Sequence, residues 1–180
     1  TSLMFALIFG LSFLTNAQDI QNNQPKGYQF TDIKRLPATS VKDQARAGTC
    51  WSWSGISFFE SEMIRMGKEP IDLSAMYIVR HAYSDKATKF VRLHGNMNFA
   101  VGGAFCDVMH VIKNYGIVPM DVYKGLNYGE ANHAFGEIDD VLAGYVNAVI
   151  KNSNKKLSTA WKKGFDGILD AYLGEEPEKF

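Results

Sequence analysis

The sequence predicts a mainly helical domain. Apolar residues recur at helical spacing in several separate segments, alternating strand-like runs are scarce, and the apolar segments are bounded by residues that cap or stop helices. The chain has 180 residues, 46% hydrophobic and 21% charged, which is enough for one domain with a real core. Lys plus Arg and Asp plus Glu number 19 each, so nothing implies an electrostatic nucleic-acid binder. There is no basic run interleaved with aromatics, no phosphate-cradling glycine loop and no internal repeat.

Residues 1–17 read as a secretory signal segment cut short at its start. Leu3 to Leu14 is a run of apolar or small residues too short to span a bilayer comfortably, and Thr15 and Ala17 are small residues before a cut at Gln18. The competing reading is a hydrophobic helix kept as an anchor or packed in the core. Residues 18–31 are polar and read as a linker, and "LPATSVKDQ" is extended, with Pro37 against a helix. Cys50, Trp53, Ile56, Phe59, Met63 and Met66 mark a first helix, which "GKEPIDLS" breaks. Ser74 caps a second helix through Tyr83. Residues 85–102 read as irregular. Phe105, Val108, Met109 and Ile112 mark a third helix closed by Gly116, and "IVPMDVYKG" is a short extended connection. Ile138, Val141, Leu142, Tyr145 and Val149 form one further apolar stripe. Leu157, Trp161, Phe165, Ile168 and Tyr172 form another, with Ser158 as cap and Gly174 as stop. These two amphipathic segments predict a helical hairpin packed on the core.

The chemistry centres on "VKDQARAGTCWSWS". Cys50 is either a nucleophile or a small buried residue that precedes a helix. A nucleophilic cysteine reacts as the thiolate, which the partial positive charge of a helix N-terminus stabilises. Attack on an amide carbonyl creates an oxyanion that needs fixed donors. The Cys50 N–H is one candidate and the Gln44 carboxamide another. Gln44, Cys50 and Trp51 thus fit an acyl-transfer site. Two cysteines and four histidines show no metal-ligand spacing, so no metal and no cofactor are expected. Cys106, on the third predicted helix, reads as a buried free thiol, with a Cys50–Cys106 disulfide as the alternative.

The stretch "DQARAGTCWSWS" resembles the active-site segment of papain-like cysteine peptidases. "DLSAMYIV" is similar to that family's next helix, and "VGGAFCDVMHVIKNYGIVP" to its Gly-Gly segment and the helix after it. Two departures point to the bleomycin hydrolase/aminopeptidase C branch: Ala45 stands where glycine follows the glutamine, and Ala47 where papain itself has a disulfide-bonded cysteine. The segment from about Glu130 to Leu173 and "LGEEPEKF" are also similar to that branch. The resemblance implies an α+β papain-like fold, of which residues 32–128 are the helical lobe and 129–180 a helical insertion, with the second lobe missing beyond residue 180. It implies Cys50 and Gln44 as catalytic residues, and Gly102, Gly103 and Trp51 as contacts for a peptide substrate. It implies aminopeptidase action and a homo-hexamer. Enzymes of this branch are usually cytoplasmic, whereas residues 1–17 predict export to the periplasm or beyond, with no stable membrane span after processing.

Such a site needs a histidine and an orienting Asn or Asp. His81 and His110 fall on predicted helices as core-edge or surface residues, and His94 lies in the irregular segment. "NHAFG" around His133 looks like the family's catalytic-histidine stretch, but "GEIDDVLAGYVNAVI" after it has helical rather than strand periodicity. The base is therefore expected beyond Phe180, and this stretch alone is expected to be inactive. The alternatives are a catalytically inactive papain-like scaffold and a membrane-anchored structural protein, the latter resting only on residues 1–17.

Overall fold

The structure, a computed structural model, describes residues 27–28 and 30–178. The predicted signal segment and most of the linker lie outside these residues. The chain divides into two units, Thr1–Arg35 and Leu36–Phe180. The described part of the first unit has no helix or strand, and its Tyr28 and Phe30 rings lie 6.4 Å apart.

The second unit holds five helices: α1 (Cys50–Arg65), α2 (Ala75–Arg92), α3 (Phe105–Tyr115), α4 (Gly136–Ile150) and α5 (Ala160–Leu173). Among the described residues β-structure is confined to two isolated bridges, Arg46 with Ala134 in parallel and Leu73 with Pro119 antiparallel. The helical part of the expected α+β fold is therefore what these residues contain. α2 is the central element, packed by α1, α3, α4 and α5. Its run from Ala75 to Tyr83 is buried on every side, as a helix surrounded by others must be.

The α1 and α3 boundaries follow the sequence reading, and Ser74 caps α2 by accepting from the Tyr77 N–H at 3.0 Å. α2, however, does not stop at Tyr83. Ala87, Phe90 and Val91 are buried and extend the Tyr83 stripe at i+4, i+7 and i+8, while the charged residues between them hide that periodicity. The irregular stretch shrinks to the residues between Arg92 and Phe105.

α4 and α5 pack on each other and on α2, as the expected hairpin requires. Their stripes turn out to be offset. α4 buries Ile138, Leu142 and Val146, with Val141 exposed; α5 buries Phe165, Leu169 and Leu173, with Leu157 exposed ahead of the helix. Gly174 stops α5 at φ 94, and Ser158 accepts from the Ala160 N–H at 3.3 Å although Thr159 holds the cap position. No described helix is long and apolar enough to cross a membrane.

Candidate active site

The chain turns at Gly48 (φ 65), passes through buried Thr49, and enters α1 at Cys50. Thr49 does not cap the helix with its hydroxyl. Its Oγ1 instead accepts from the Trp53 indole N–H at 3.0 Å. Ser52 and Trp53 donate their N–H groups to the Thr49 carbonyl at 2.9 and 3.3 Å. Among the described residues the Cys50 and Trp51 N–H groups make no hydrogen bond. The Cys50 thiol is free and exposed, and among the described residues it makes no hydrogen bond. An exposed thiol thus sits at the positive end of a 16-residue helix beside two unused backbone donors.

Gln44 lies in the segment just upstream. Asp43 Oδ1 accepts from the Ala45 N–H at 2.7 Å, and Ala45 has φ 50, a left-handed conformation that costs an alanine about 1–2 kcal/mol. The strand-like bridge to residues 133–135 fixes the other side: the Arg46 N–H donates to the His133 carbonyl at 2.9 Å, and the Phe135 N–H to the Arg46 carbonyl at 3.2 Å. The Gln44 carboxamide is half-buried, and among the described residues its enclosed Oε1 has no hydrogen-bond partner.

The glycine pair is assembled on Trp51. This ring is only 8% exposed, its Nε1 donates to the Val101 carbonyl at 3.0 Å, and Gly103 lies directly on it. A Cβ on Gly103 would come within 2.5 Å of Trp51 Cε2, whereas one on Gly102 would meet nothing within 4 Å. Both glycines are exposed. Among the described residues the Gly102 N–H, the Gly103 N–H and the Gly103 carbonyl make no hydrogen bond. Trp51, Gly102 and Gly103 therefore come together as an open backbone edge on a buried aromatic floor.

The histidines fall elsewhere. His81 is buried on α2, its ring stacked on Tyr115 at 4.2 Å between centroids. His110 is exposed on α3 and 3.1 Å from Asp85 Oδ2. His94 is exposed just past α2 with φ 50. His133 lies in the loop before α4, as its flanking periodicity predicts. It packs edge-on against Trp53 with 6.0 Å between centroids, its Nδ1 is enclosed without a partner, and burial holds its pKa below the ordinary value. No hydrogen bond joins any described histidine to Cys50. Cys106 corrects the sequence reading: it is a free thiol but exposed. α3 buries Val108 and Val111, and residue 106 is about 200° around the helix from Val108.

Residues 25–164 match the family model for papain family cysteine proteases. The chain belongs to the papain family. Its fold is similar to that of PepW from Lactobacillus rhamnosis HN001 (DR20), with a TM-score of 0.56 and 19% sequence identity, covering 81% of this chain and 38% of PepW. This papain-family chain thus spans well under half the length of that relative. No curated protein matches it.

Two features of the site were not foreseen. The first is Glu60, fully buried on α1. Its Oε1 accepts from the Leu73 N–H at 2.7 Å, and its Oε2 accepts from Lys42 Nζ at 2.8 Å and from the Thr39 hydroxyl. Lys42 also reaches Asp72 Oδ1 at 2.7 Å. Burial pulls the Lys42 pKa down, but the bonds to Asp72 and Glu60 outweigh it and hold it above its usual value. This network ties the extended segment that bears Gln44 to α1. Its trace in the sequence is the i, i+4 series Ser52, Ile56, Glu60, which places a carboxylate on the buried face. The second is Lys86. It lies beyond the expected end of α2, and no local pattern marks it.

Proposed function

We propose that this chain carries the nucleophile side of a cysteine peptidase of the bleomycin hydrolase/aminopeptidase C branch. The observation that supports this most directly is the exposed Cys50 thiol at the start of α1, beside two unused backbone N–H groups. Cys50 is the nucleophile, and its own N–H with the Gln44 carboxamide forms the oxyanion site. Gly102 and Gly103 pair with an extended peptide, as an added strand pairs with an open edge, and Trp51 supports them from beneath. Ala45, Ala47 and the helical segment α4–α5 support the branch assignment. The general base and its orienting residue come from the part of the fold that this chain does not span, so these 180 residues alone do not turn over substrate. We propose further that the protein is exported, on the strength of Leu3–Leu14, Thr15 and Ala17, and that it assembles as a hexamer.

A second reading, a non-catalytic papain-like binding protein, draws on the absence of a base near Cys50 among the described residues. The retention of both Cys50 and Gln44 argues against it. Alkylation separates the two. In the full-length protein, iodoacetamide should modify Cys50 at least tenfold faster than the exposed Cys106, and an N-terminally unblocked peptide should be cleaved. Equal rates at the two thiols would leave the binding-protein reading in place. Cleavage of such a peptide by the 180-residue chain, abolished by Cys50→Ser, would show that the base lies within these residues after all.

A further inference from the structure

We infer that Lys86 is a positioning residue that holds the Gly102–Gly103 edge in register for the peptide, an inference that rests on the peptidase reading above. Lys86 projects from α2 to the irregular segment that precedes α3. Its Nζ donates to the Ala100 carbonyl at 3.2 Å and to the Gly102 carbonyl. The same ammonium lies 5.5 Å from the centre of the Trp51 ring and 5.9 Å from that of Tyr83. Trp51 Nε1 takes the intervening Val101 carbonyl. Three consecutive carbonyls, at 100, 101 and 102, are therefore anchored from two different helices, and the next residue, Gly103, rests on the indole.

This anchoring has a physical reason. The segment from Leu93 to Ala104 has no helix or strand of its own, and two adjacent glycines have the greatest backbone freedom of any residues. Left alone, such an edge would have to be ordered by each incoming substrate at a cost in affinity. A half-buried ammonium suits the task. Its hydrogen bonds to carbonyls are charge-assisted, and its site over two aromatic faces compensates in part for lost hydration. It faces Asp107 and Asp139 at a distance and Lys89 on its own helix, but none of these takes it as a hydrogen-bond partner. Asp107 is occupied by the Ala104 N–H at 2.8 Å, and Asp139 by the Tyr83 hydroxyl. Lys86 also satisfies the Gly102 carbonyl, so the polar groups left open at the edge are the Gly102 N–H and the N–H and carbonyl of Gly103.

The test uses the full-length enzyme with Lys86→Met, which keeps the length of the side chain and removes its charge, and Lys86→Arg, which can still donate to two carbonyls. For hydrolysis of an N-terminally free penta-alanine peptide, Lys86→Met should raise KM about tenfold with kcat within about twofold. Lys86→Arg should recover most of the loss. Alkylation of Cys50 by iodoacetamide, which needs no peptide edge, should stay at the wild-type rate, and inactivation by a peptidyl epoxysuccinate should slow in parallel with KM. An unchanged KM in Lys86→Met, or a fall in kcat and alkylation rate together, overturns the inference. If Lys86→Met does not fold, Lys86→Gln replaces it, with wild-type KM again decisive against. If the wild-type enzyme cleaves nothing and Cys50 reacts no faster than Cys106, it is the peptidase reading that fails. Binding of the same peptide, labelled with fluorescein at its C-terminus, to wild type and Lys86→Met then decides the role of Lys86 by fluorescence anisotropy. A weakening of about tenfold supports it, and equal affinity overturns it.

Discussion

Gly103→Ala should destabilise the protein, and Gly102→Ala should not. The added methyl at 103 would lie 2.5, 2.6 and 2.9 Å from Cε2, Cδ2 and Cζ2 of Trp51. Ordinary carbon contacts are about 3.5–4.0 Å, so the ring or the backbone must shift by about an ångström. Neither moves freely. Trp51 is buried and its Nε1 is bonded to Val101, while the backbone at Gly102 is held by Lys86. Overpacking of this kind costs about 1–3 kcal/mol. For a chain of this size, about 2 kcal/mol lowers the melting temperature by roughly 4–8 °C. A methyl at 102 meets nothing within 4 Å and φ there is not in the left-handed region, so its cost should stay within about 0.5 kcal/mol. Thermal denaturation of the two variants beside wild type is the assay. If both melt together with wild type, the indole is not the floor of the glycine edge. If both lose stability equally, the cost comes from the backbone, and the packing argument fails. Peptide binding should weaken in Gly103→Ala beyond what its lower stability explains, because the shift occurs where the open N–H and carbonyl lie.

Lys42→Met should cost about 3 kcal/mol, since it leaves Glu60 buried with its charge uncompensated. Adding Glu60→Gln should restore part of the loss in urea titrations, and a loss below about 1 kcal/mol would show the pair to be dispensable. His81 and His133 are both held below the usual imidazole pKa, first of all by burial, so the unfolded state binds protons that the folded state refuses. Their contribution is fully present above pH ~6.5 and is lost as pH falls from there through the lowered folded-state values, with a slope of up to about 1.4 kcal/mol per pH unit for each group. Urea midpoints measured from pH 7.5 to 5 should fall less steeply in His133→Phe than in wild type, and parallel curves would refute the assignment. Gly125→Ala should be among the most damaging single changes, because its Cβ would lie 2.2 Å from Met76 Cβ and φ is 64. A melting temperature within 2 °C of wild type would refute it.

Features decided by near neighbours in the chain were legible in the sequence. The start of α1 at Cys50 follows from Gly48 and the helical spacing of the residues after it. The Ser74 cap and the Gly116 and Gly174 stops are likewise local. The extent of α2 was not legible. "YSDKATK" presents mostly polar residues in a row, and only the packing of Ala87, Phe90 and Val91 shows that the helix continues. The exposure of Cys106 was missed for a related reason. A two-residue offset from Val108 reverses the face, and the spacing of Phe105, Val108 and Met109 alone left the centre of the buried stripe undecided. The same holds for α4 and α5, whose buried stripes run through Val146 in the one and through Leu169 and Leu173 in the other, beside residues that the spacing did mark.

The site follows the same division, and this accounts for where sequence reasoning stops. Cys50, Gln44 and the glycine pair each lie in a short stretch whose composition is unusual enough to be noticed alone. What holds them in place lies elsewhere in the chain: Glu60 and Lys42 across 18 residues, Lys86 and Gly102 across 16, Trp51 and Val101 across 50. These supports are buried or half-buried charges and indole N–H groups, whose partners are backbone carbonyls, N–H groups and carboxylates that no side-chain pattern announces. They also explain how the described helices keep the Cys50 thiol and the open Gly102–Gly103 backbone in order. The thiol is placed by a helix end, the edge by an aromatic floor and an ammonium, and the upstream segment by a buried carboxylate. What these supports do not supply is a proton acceptor at Cys50. Among the described residues no hydrogen bond brings a proton acceptor to Cys50, so on the peptidase reading proposed above the arrangement orders the thiol and the glycine edge and leaves proton transfer to another group.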